Sequence, residues 1–591
     1  MTISETKICQ NCKASFEIDA SDFDFYKKID VPPPTFCPEC RFQRRMAFRN
    51  ERTLYRRKCD LCKEMGVSNF RPNSIHPVYC PRCWWSDKWD AVQYSQEYDS
   101  SRPFLEQFLE LRAKVPQQGR AISYETLINS DYCHMAMELK NCYLVTHSNS
   151  CENCFYSSAL RSVKDSGELL SSQECELCLE DVSCYKCNQV YFSLDCENCY
   201  NIAFCRNCVG CSNCFGSVNL RNKQYHIFNQ PYSKENYFKK IQELDLGSYM
   251  VISEMRAKMK DLWPKFPQKY IHGRHNVNVT GDYIYNSKNA FSCYDIVYVE
   301  DSKYCQYLTS KSVAQCYDYT EWGQGAELVY DSVNCGFGFT NSKFGQQSWN
   351  EVSNAEYTSF CIASSNLFGC VALRHKEYCI LNKQYSAEEY GKLVPQIIEN
   401  MNQRPYIDKK GRIYRYGEFF PIETSFWGYN ETTANEFFPM TKEAAEGEGY
   451  LWVDIDKYRG IYKSTMKSSE IPDHIKDAPD SILDQIIECE LCQKPYRFIK
   501  QELDFYRGQN IALPRWCPEC RYQNRFNQRN SFRLYHRRCE CSVAPSNKGT
   551  YPNVLKHFHG ADHCPNEFET SYGPEREEII YCEQCYNSEV V

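Results

Sequence analysis

The sequence predicts a mainly β protein: two Cys/Ser/Asn-rich β-solenoid arrays with helical caps, flanked at each end by a cysteine-knuckle module. Three observations carry this reading. The N-terminal cysteine pattern recurs 480 residues later, the cysteines after residue 131 keep a fixed beat, and the middle shows no 3.6-residue apolar period.

With 591 residues, 42% of them hydrophobic and 25% charged, the chain is long enough for three or more domains and too apolar for disorder. No basic and then apolar leader opens it, and no eighteen apolar residues run together, so neither export nor membrane spanning is expected. The expected compartment is the cytoplasm, where thiols stay reduced. The 38 cysteines therefore point to metal, burial or redox chemistry before disulfides. The net charge of −7 is uneven: Lys+Arg against Asp+Glu is 16 to 12 over 1–90, 39 to 51 over 91–488 and 14 to 13 over 489–591.

The boundaries expected are 1–92 for a double cysteine module, 93–130 for a linker helix and 131–230 for the first array. A helical cap and linker over 231–280, the second array over 281–385, a second cap with a mixed linker domain over 386–480 and a second cysteine module over 481–591 complete the chain.

In the terminal modules, Cys9, Cys12, Cys37 and Cys40 fall on Cys489, Cys492, Cys517 and Cys520 without a gap. Asp24-Phe25-Tyr26 meets Asp504-Phe505-Tyr506, and Arg45, Arg49, Asn50, Leu54, Tyr55, Arg57 and Cys59 meet identical residues, which marks a duplication. Each C-x-x-C knuckle aims two thiolates at one ion, and two knuckles complete a tetrahedral S₄ shell that suits zinc. A second set follows each first one: Cys59, Cys62, Cys80 and Cys83, then Cys539, Cys541, Cys582 and Cys585. The last set has C-x-C for C-x-x-C and an insertion carrying His557, His559, His563 and Cys564, so it is open to replacement by a histidine. About four zinc ions are expected, each in a closed shell that folds its module and leaves no position for catalysis.

Arginines crowd behind each second knuckle. A four-residue spacing puts Arg41, Arg45 and Arg49, and in the copy Arg521, Arg525, Arg529 and Arg533, along one helical face. Such a face suits a phosphate backbone in RNA or DNA, with Phe42, Phe48, Tyr55, Tyr522, Phe526 and Tyr535 placed to stack on bases or pack inward. The alternative is pairing with the acidic middle of the same chain or with a protein partner.

In the first array the beat is 21 residues, as in Cys133, Cys154, Cys175 and Cys196, and in the second it is near ten, marked by Ser302, Ser312, Ser332, Ser342, Ser353 and Ser365. Two short beats make about one rung. Both arrays end in one signature at an offset of 153, Phe215-Gly216 to Tyr232-Ser233 and Phe368-Gly369 to Tyr385-Ser386. Ser233 and Ser386 are then placed as N-caps of helices, Ser386 with Glu389 in an S-x-x-E box. The array cysteines can be buried in ladders, bind further zinc, or form disulfides or iron clusters. Cys205, Cys208, Cys211 and Cys214 are the best extra metal candidates. Between module and array, Pro103 with Phe104, Leu105, Phe108, Leu109 and Leu111 reads as an amphipathic linker helix.

The segment from Cys9 to Cys62, with Cys37-Pro38-Glu39-Cys40-Arg41 and Arg49-Asn50-Glu51-Arg52, resembles the zinc-ribbon or treble-clef domain family of bacterial proteins. The whole chain, with Val78-Tyr79-Cys80-Pro81-Arg82-Cys83-Trp84-Trp85, resembles large zinc-ribbon proteins of uncultured small-genome bacteria. The resemblance implies zinc and a fold for the ends, and no activity.

No P-loop, H-E-x-x-H, G-x-S-x-G or dinucleotide fingerprint is present, which weakens an enzyme reading. The function expected is a zinc-binding scaffold contacting nucleic acid through arginine-rich ribbons. A protein–protein interaction scaffold is the alternative, and a carbohydrate-active solenoid enzyme a third reading.

Overall fold

The computed structural model describes residues 4–458, 460, 462–541, 551–560 and 562–591. It is mainly strand with twelve α-helices among the described residues, and none of them is long and apolar enough to cross a membrane. All 38 cysteines are free of disulfides.

The chain forms two compact units that interleave along the sequence. One comprises residues 1–120, 271–459 and 532–534, the other 121–270, 460–531 and 535–591. Each unit thus joins a terminal cysteine module to the ladder that is remote from it in sequence.

The ladder of the second unit repeats a triplet. At every third residue the backbone is left-handed, as at Asn141 (φ 53°), Leu144 (φ 50°), His147 (φ 51°), Ser150 (φ 56°) and Asn153 (φ 55°). The next residue points inward: Cys142, Val145, Ser148, Cys151 and Cys154 are all buried. The third residue bridges to the chain twelve residues on, in parallel columns such as Tyr143, Phe155, Gly167, Leu179 and Tyr191, or Thr146, Ser158, Leu170, Val182 and Leu194. Four triplets complete one closed, four-sided turn.

This corrects the rung expected from sequence. All cysteines of the first array share one phase of a three-residue period, so any multiple of three recurs. Twenty-one is seven triplets, whereas the register steps by twelve. In the other unit the step varies from eleven (Gly273 to Ile284) through twelve (Lys288 to Glu300) and thirteen (Tyr317 to Tyr330) to fourteen (Val299 to Val313). Parallel pairing begins at Ile122 and Gly273, ahead of the expected 131 and 281.

The triplet also explains the composition. A left-handed non-glycine residue costs about 1–2 kcal/mol, least for Asn and Asp. Here asparagines stack on that corner, Asn129 donating to Asn141 (3.1 Å), Asn141 to Asn153 (3.0 Å) and Asn153 to Asp165 (2.7 Å). The inward residue's N–H takes no part in the bridge columns, and where the inward side chain one turn earlier carries a lone pair it accepts that N–H. Ser148 Oγ accepts from Leu160 N (3.0 Å), Ser166 Oγ from Cys178 N (3.0 Å) and Cys211 Sγ from Lys223 N (3.5 Å).

Both ladders end alike. The last rung's free N–H and C=O meet an asparagine amide: Asn229 Oδ1 accepts from Val218 N (2.8 Å) while its Nδ2 donates to Val218 O (2.9 Å). Asn382 repeats both bonds with Val371, at 2.8 Å each. Each ladder then closes with an antiparallel return strand, Gln230–Pro231 or Lys383–Gln384, so no parallel edge stays open there. Helices Lys234–Glu243 and Ala387–Gln403 follow, capped by Ser233 and by the Ser386/Glu389 box that the spacing predicts.

The cysteine modules are copies in structure too. The hairpin Glu5–Ile8/Ser15–Ile18 corresponds to Ile487–Glu488/Pro495–Tyr496. Cys37 and Cys517, both extended with φ −66°, are the N-caps of the helices Pro38–Met46 and Pro518–Phe526. Proline at the first helical position suits both, because its missing N–H would be unpaired there.

Candidate metal centres and the arginine clamps

A tetrahedron with Zn–S bonds of about 2.3 Å has sulfur–sulfur edges of about 3.8 Å. The knuckles match it: Cys12–Cys37 3.7 Å, Cys489–Cys520 3.9 Å, Cys492–Cys517 3.7 Å and Cys62–Cys80 4.0 Å. Cys9, Cys12, Cys37 and Cys40 gather as one set, Cys59, Cys62, Cys80 and Cys83 as a second, and Cys489, Cys492, Cys517 and Cys520 as a third, with all four sulfurs of each within 4.8 Å. Each is a set of four sulfurs that could hold a metal ion, built by two turns that fold the same way.

One main-chain bond recurs in every set. The N–H at the start of the second knuckle donates to the first sulfur: Cys37 to Cys9 (3.3 Å), Cys80 to Cys59 (3.2 Å), Cys517 to Cys489 (3.1 Å) and Cys582 to Cys539 (3.2 Å). Burial raises the Cys59 and Cys489 thiols, but such N–H donors outweigh it and bring both down to about 7. The thiolate is the ligating form, so the backbone prepares these sulfurs for a cation.

In the fourth set the structure replaces one expected member. Cys539, Cys564, Cys582 and Cys585 gather, with Cys564–Cys582 at 3.8 Å and Cys564–Cys585 at 3.6 Å. Cys541 joins His557, His559 and Cys585 instead. The hairpin register gives the reason. Cys59 N donates to Glu64 O and Lys58 pairs with Met65, while Cys539 N donates to Asn566 O and Arg538 pairs with Glu567. Cys62 and Cys564 each stand two residues before that acceptor, so the insertion lies inside the knuckle and Cys541 belongs to it. His563 is exposed, and residues 542–550 of the insertion lie outside the described residues.

The array cysteines have another environment. Cys205, Cys208, Cys211 and Cys214 are buried in the ladder core, and Cys205 Sγ lies 3.4 Å from Ala203 O and 3.7 Å from Cys214 O. They occupy the same inward position as the serines.

The arginines expected to face a polyanion are turned inward. In the first unit Arg41 pairs with Asp318 (2.8 Å), Arg45 with Asp318 (3.0 Å) and Asp331 (2.9 Å), and Arg49 with Glu51 and Glu321. Arg44, which lies off the four-residue spacing of the other three, pairs with Asp331 (2.8 Å) and Glu418 (3.1 Å). All four are at most 1% exposed. In the second unit Arg521 pairs with Glu168 and Glu502 (2.9 Å), and Arg525 with Glu168 (2.6 Å). Arg529 is buried and donates to Ser171 Oγ (3.3 Å), whereas Arg533, which lies in the 532–534 segment of the first unit, is exposed and pairs with Glu39 of that unit (2.6 Å). Burial works against the charge of Arg41 and Arg521, but Asp318 and Glu168 hold both well above the usual arginine range. Asp318, Asp331, Glu418 and Glu168 carried no motif of their own. Their only trace in the sequence is the acidic balance of the middle against the basic ends.

No family model matches the chain, and no curated protein matches it. Among solved structures, one described as a "putative acetyltransferase" from Desulfovibrio desulfuricans G20 aligns at 10% identity over 49% of this chain and 86% of that chain. Its TM-score of 0.09 carries no argument about fold or activity.

Proposed function

We propose that this chain is a zinc-stapled scaffold for protein partners, in which treble-clef ribbons are locked onto four-sided β-solenoids. The observation that carries the reading is the burial of Arg41, Arg45, Arg49, Arg521 and Arg525 in ion pairs with carboxylates of their own unit. An arginine face committed to intramolecular carboxylates is not available to phosphate, which favours the scaffold over the nucleic-acid contact expected from the stripe. Zinc is supported by S₄ sets with edges near the tetrahedral value, and closed shells leave no position for substrate. The solenoid is supported by parallel columns stepping twelve residues around a filled core.

Purification of the full chain under native conditions tests it. A stoichiometric protein partner and bound zinc, without nucleic acid, are expected. Stoichiometric RNA or DNA released by salt would overturn it in favour of nucleic-acid contact through other residues.

A further inference from the structure

We infer that the C-terminal module holds two metal ions bridged by the Cys585 thiolate. The inference rests on the metal-binding reading of the cysteine sets. Two sets of four meet at one residue: Cys539, Cys564, Cys582 and Cys585 form one, and Cys541, His557, His559 and Cys585 the other, each with its ligand atoms within 4.8 Å of one another. A thiolate sulfur has lone pairs for two ions, and Cys585 is fully buried between the sets.

The histidines are held as ligands before any ion arrives. His557 turns Nδ1 to Cys541 Sγ (2.7 Å) and Nε2 to the buried Glu589 carboxylate (3.1 Å). His559 turns Nε2 to the sulfurs of Cys541 and Cys585, 3.4 Å from each, and Nδ1 to the carbonyl of Asp562 (2.6 Å). An oxygen acceptor on one ring nitrogen fixes its proton there and leaves the other nitrogen's lone pair for a metal, as second-shell partners do in histidine sites. Bonds of about 2.3 Å to sulfur and 2.0–2.1 Å to nitrogen set a tetrahedral S–N edge of about 3.5 Å. The two 3.4 Å pairs fit that edge, and the Cys541–His557 hydrogen bond must open by under about 1 Å. Asn553 and Asn566 donate to Cys541 and Cys582 Sγ, each at 3.2 Å, as amides do to thiolates.

The N-terminal copy is the built-in comparison. Between Cys59 and Cys62 it has only Asp60 and Leu61, and its set is Cys59, Cys62, Cys80 and Cys83. The insertion between Cys539 and Cys564 supplies all three new ligands, so the second ion belongs to the insertion. An S₂N₂ site with imidazole and thiolate suits zinc.

The test uses the full chain. Zinc is counted by native mass spectrometry in wild type and in His557→Ala/His559→Ala, and cobalt(II)-substituted wild type is examined by electron paramagnetic resonance. One ion fewer in the variant and a spin-coupled cobalt pair in wild type are expected. An equal zinc count in both proteins, or uncoupled cobalt in wild type, overturns the bridged pair whether or not the variant folds well. Four filled S₄ sets with no fifth ion would sink this inference alone, whereas a metal-free wild type would sink the scaffold reading with it.

Discussion

Asp318 and Asp331 stand in register on adjacent rungs of one ladder, and Arg45 Nη1 lies between them at 3.0 and 2.9 Å. Both carboxylates are fully buried, one rung apart, and would repel without a cation between them. The parallel register creates the problem and the helix Pro38–Met46 solves it, which ties the fold of the ladder to the fold of the module.

Removing that cation should therefore be severe. Arg45→Met is expected to cost about 3–5 kcal/mol of stability, because it leaves two buried carboxylates sharing only Arg41 and Arg44. Arg45→Met combined with Asp318→Asn and Asp331→Asn should recover much of the loss. Urea denaturation of the three proteins checks this, and a triple variant no more stable than Arg45→Met would refute it.

Glu502 gives a pH dependence of opposite sign to that of an ordinary paired carboxylate. Burial, with Glu168 beside it, pushes its carboxyl up to about 7 against the pull of Arg521, and its Oε2 is an unpartnered buried oxygen. The folded value lies above the ordinary 4.5, so the stability it contributes is complete below about pH 4.5 and is lost as pH rises through about 7. Glu502→Gln should flatten that decline, by at most about 3 kcal/mol. Thermal melts between pH 5 and 8 that run parallel in wild type and variant would contradict this.

Asp181 occupies an inward position where the ladder otherwise places Ser, Cys or an aliphatic residue, and Ser193 N donates to its Oδ1 at 2.8 Å. Burial holds its carboxyl well above the usual range. A neutral amide keeps that acceptor, so Asp181→Asn is expected within about 1 kcal/mol of wild type, while Asp181→Leu leaves the Ser193 N–H unpaired and costs about 1–3 kcal/mol more. Chemical denaturation separates the two, and equal losses would reject the assignment.

Cys37→Ser should release one ion and loosen the hairpin Glu5–Ile8/Ser15–Ile18, whose cysteine turn depends on it, while the sets around Cys489 and Cys539 keep theirs. Metal counting with hydrogen exchange on the full chain reads both effects. Loss of metal from the C-terminal sets as well would refute this expectation.

The sequence by itself determined what depends on short spacing. Cys-x-x-C pairs with Pro after the second knuckle's first cysteine bring four sulfurs together within one local turn system, so three sets were legible residue by residue. Ser386 with Glu389 determined its helix start, because a cap is decided within a few residues. Only the tertiary structure decided the rest. The twelve-residue turn was hidden because one inward position per triplet accepts Cys, Ser, Val or Leu alike, and left-handed corners accept many residue types once bridges on both sides hold them. Cys564 displaced Cys541 because a ligand is chosen by hairpin register and not by distance along the chain. The arginines turned inward because Asp318, Asp331 and Glu168 lie hundreds of residues away in sequence, and only folding of each module onto its ladder brings opposite charges within hydrogen-bonding reach, out of water.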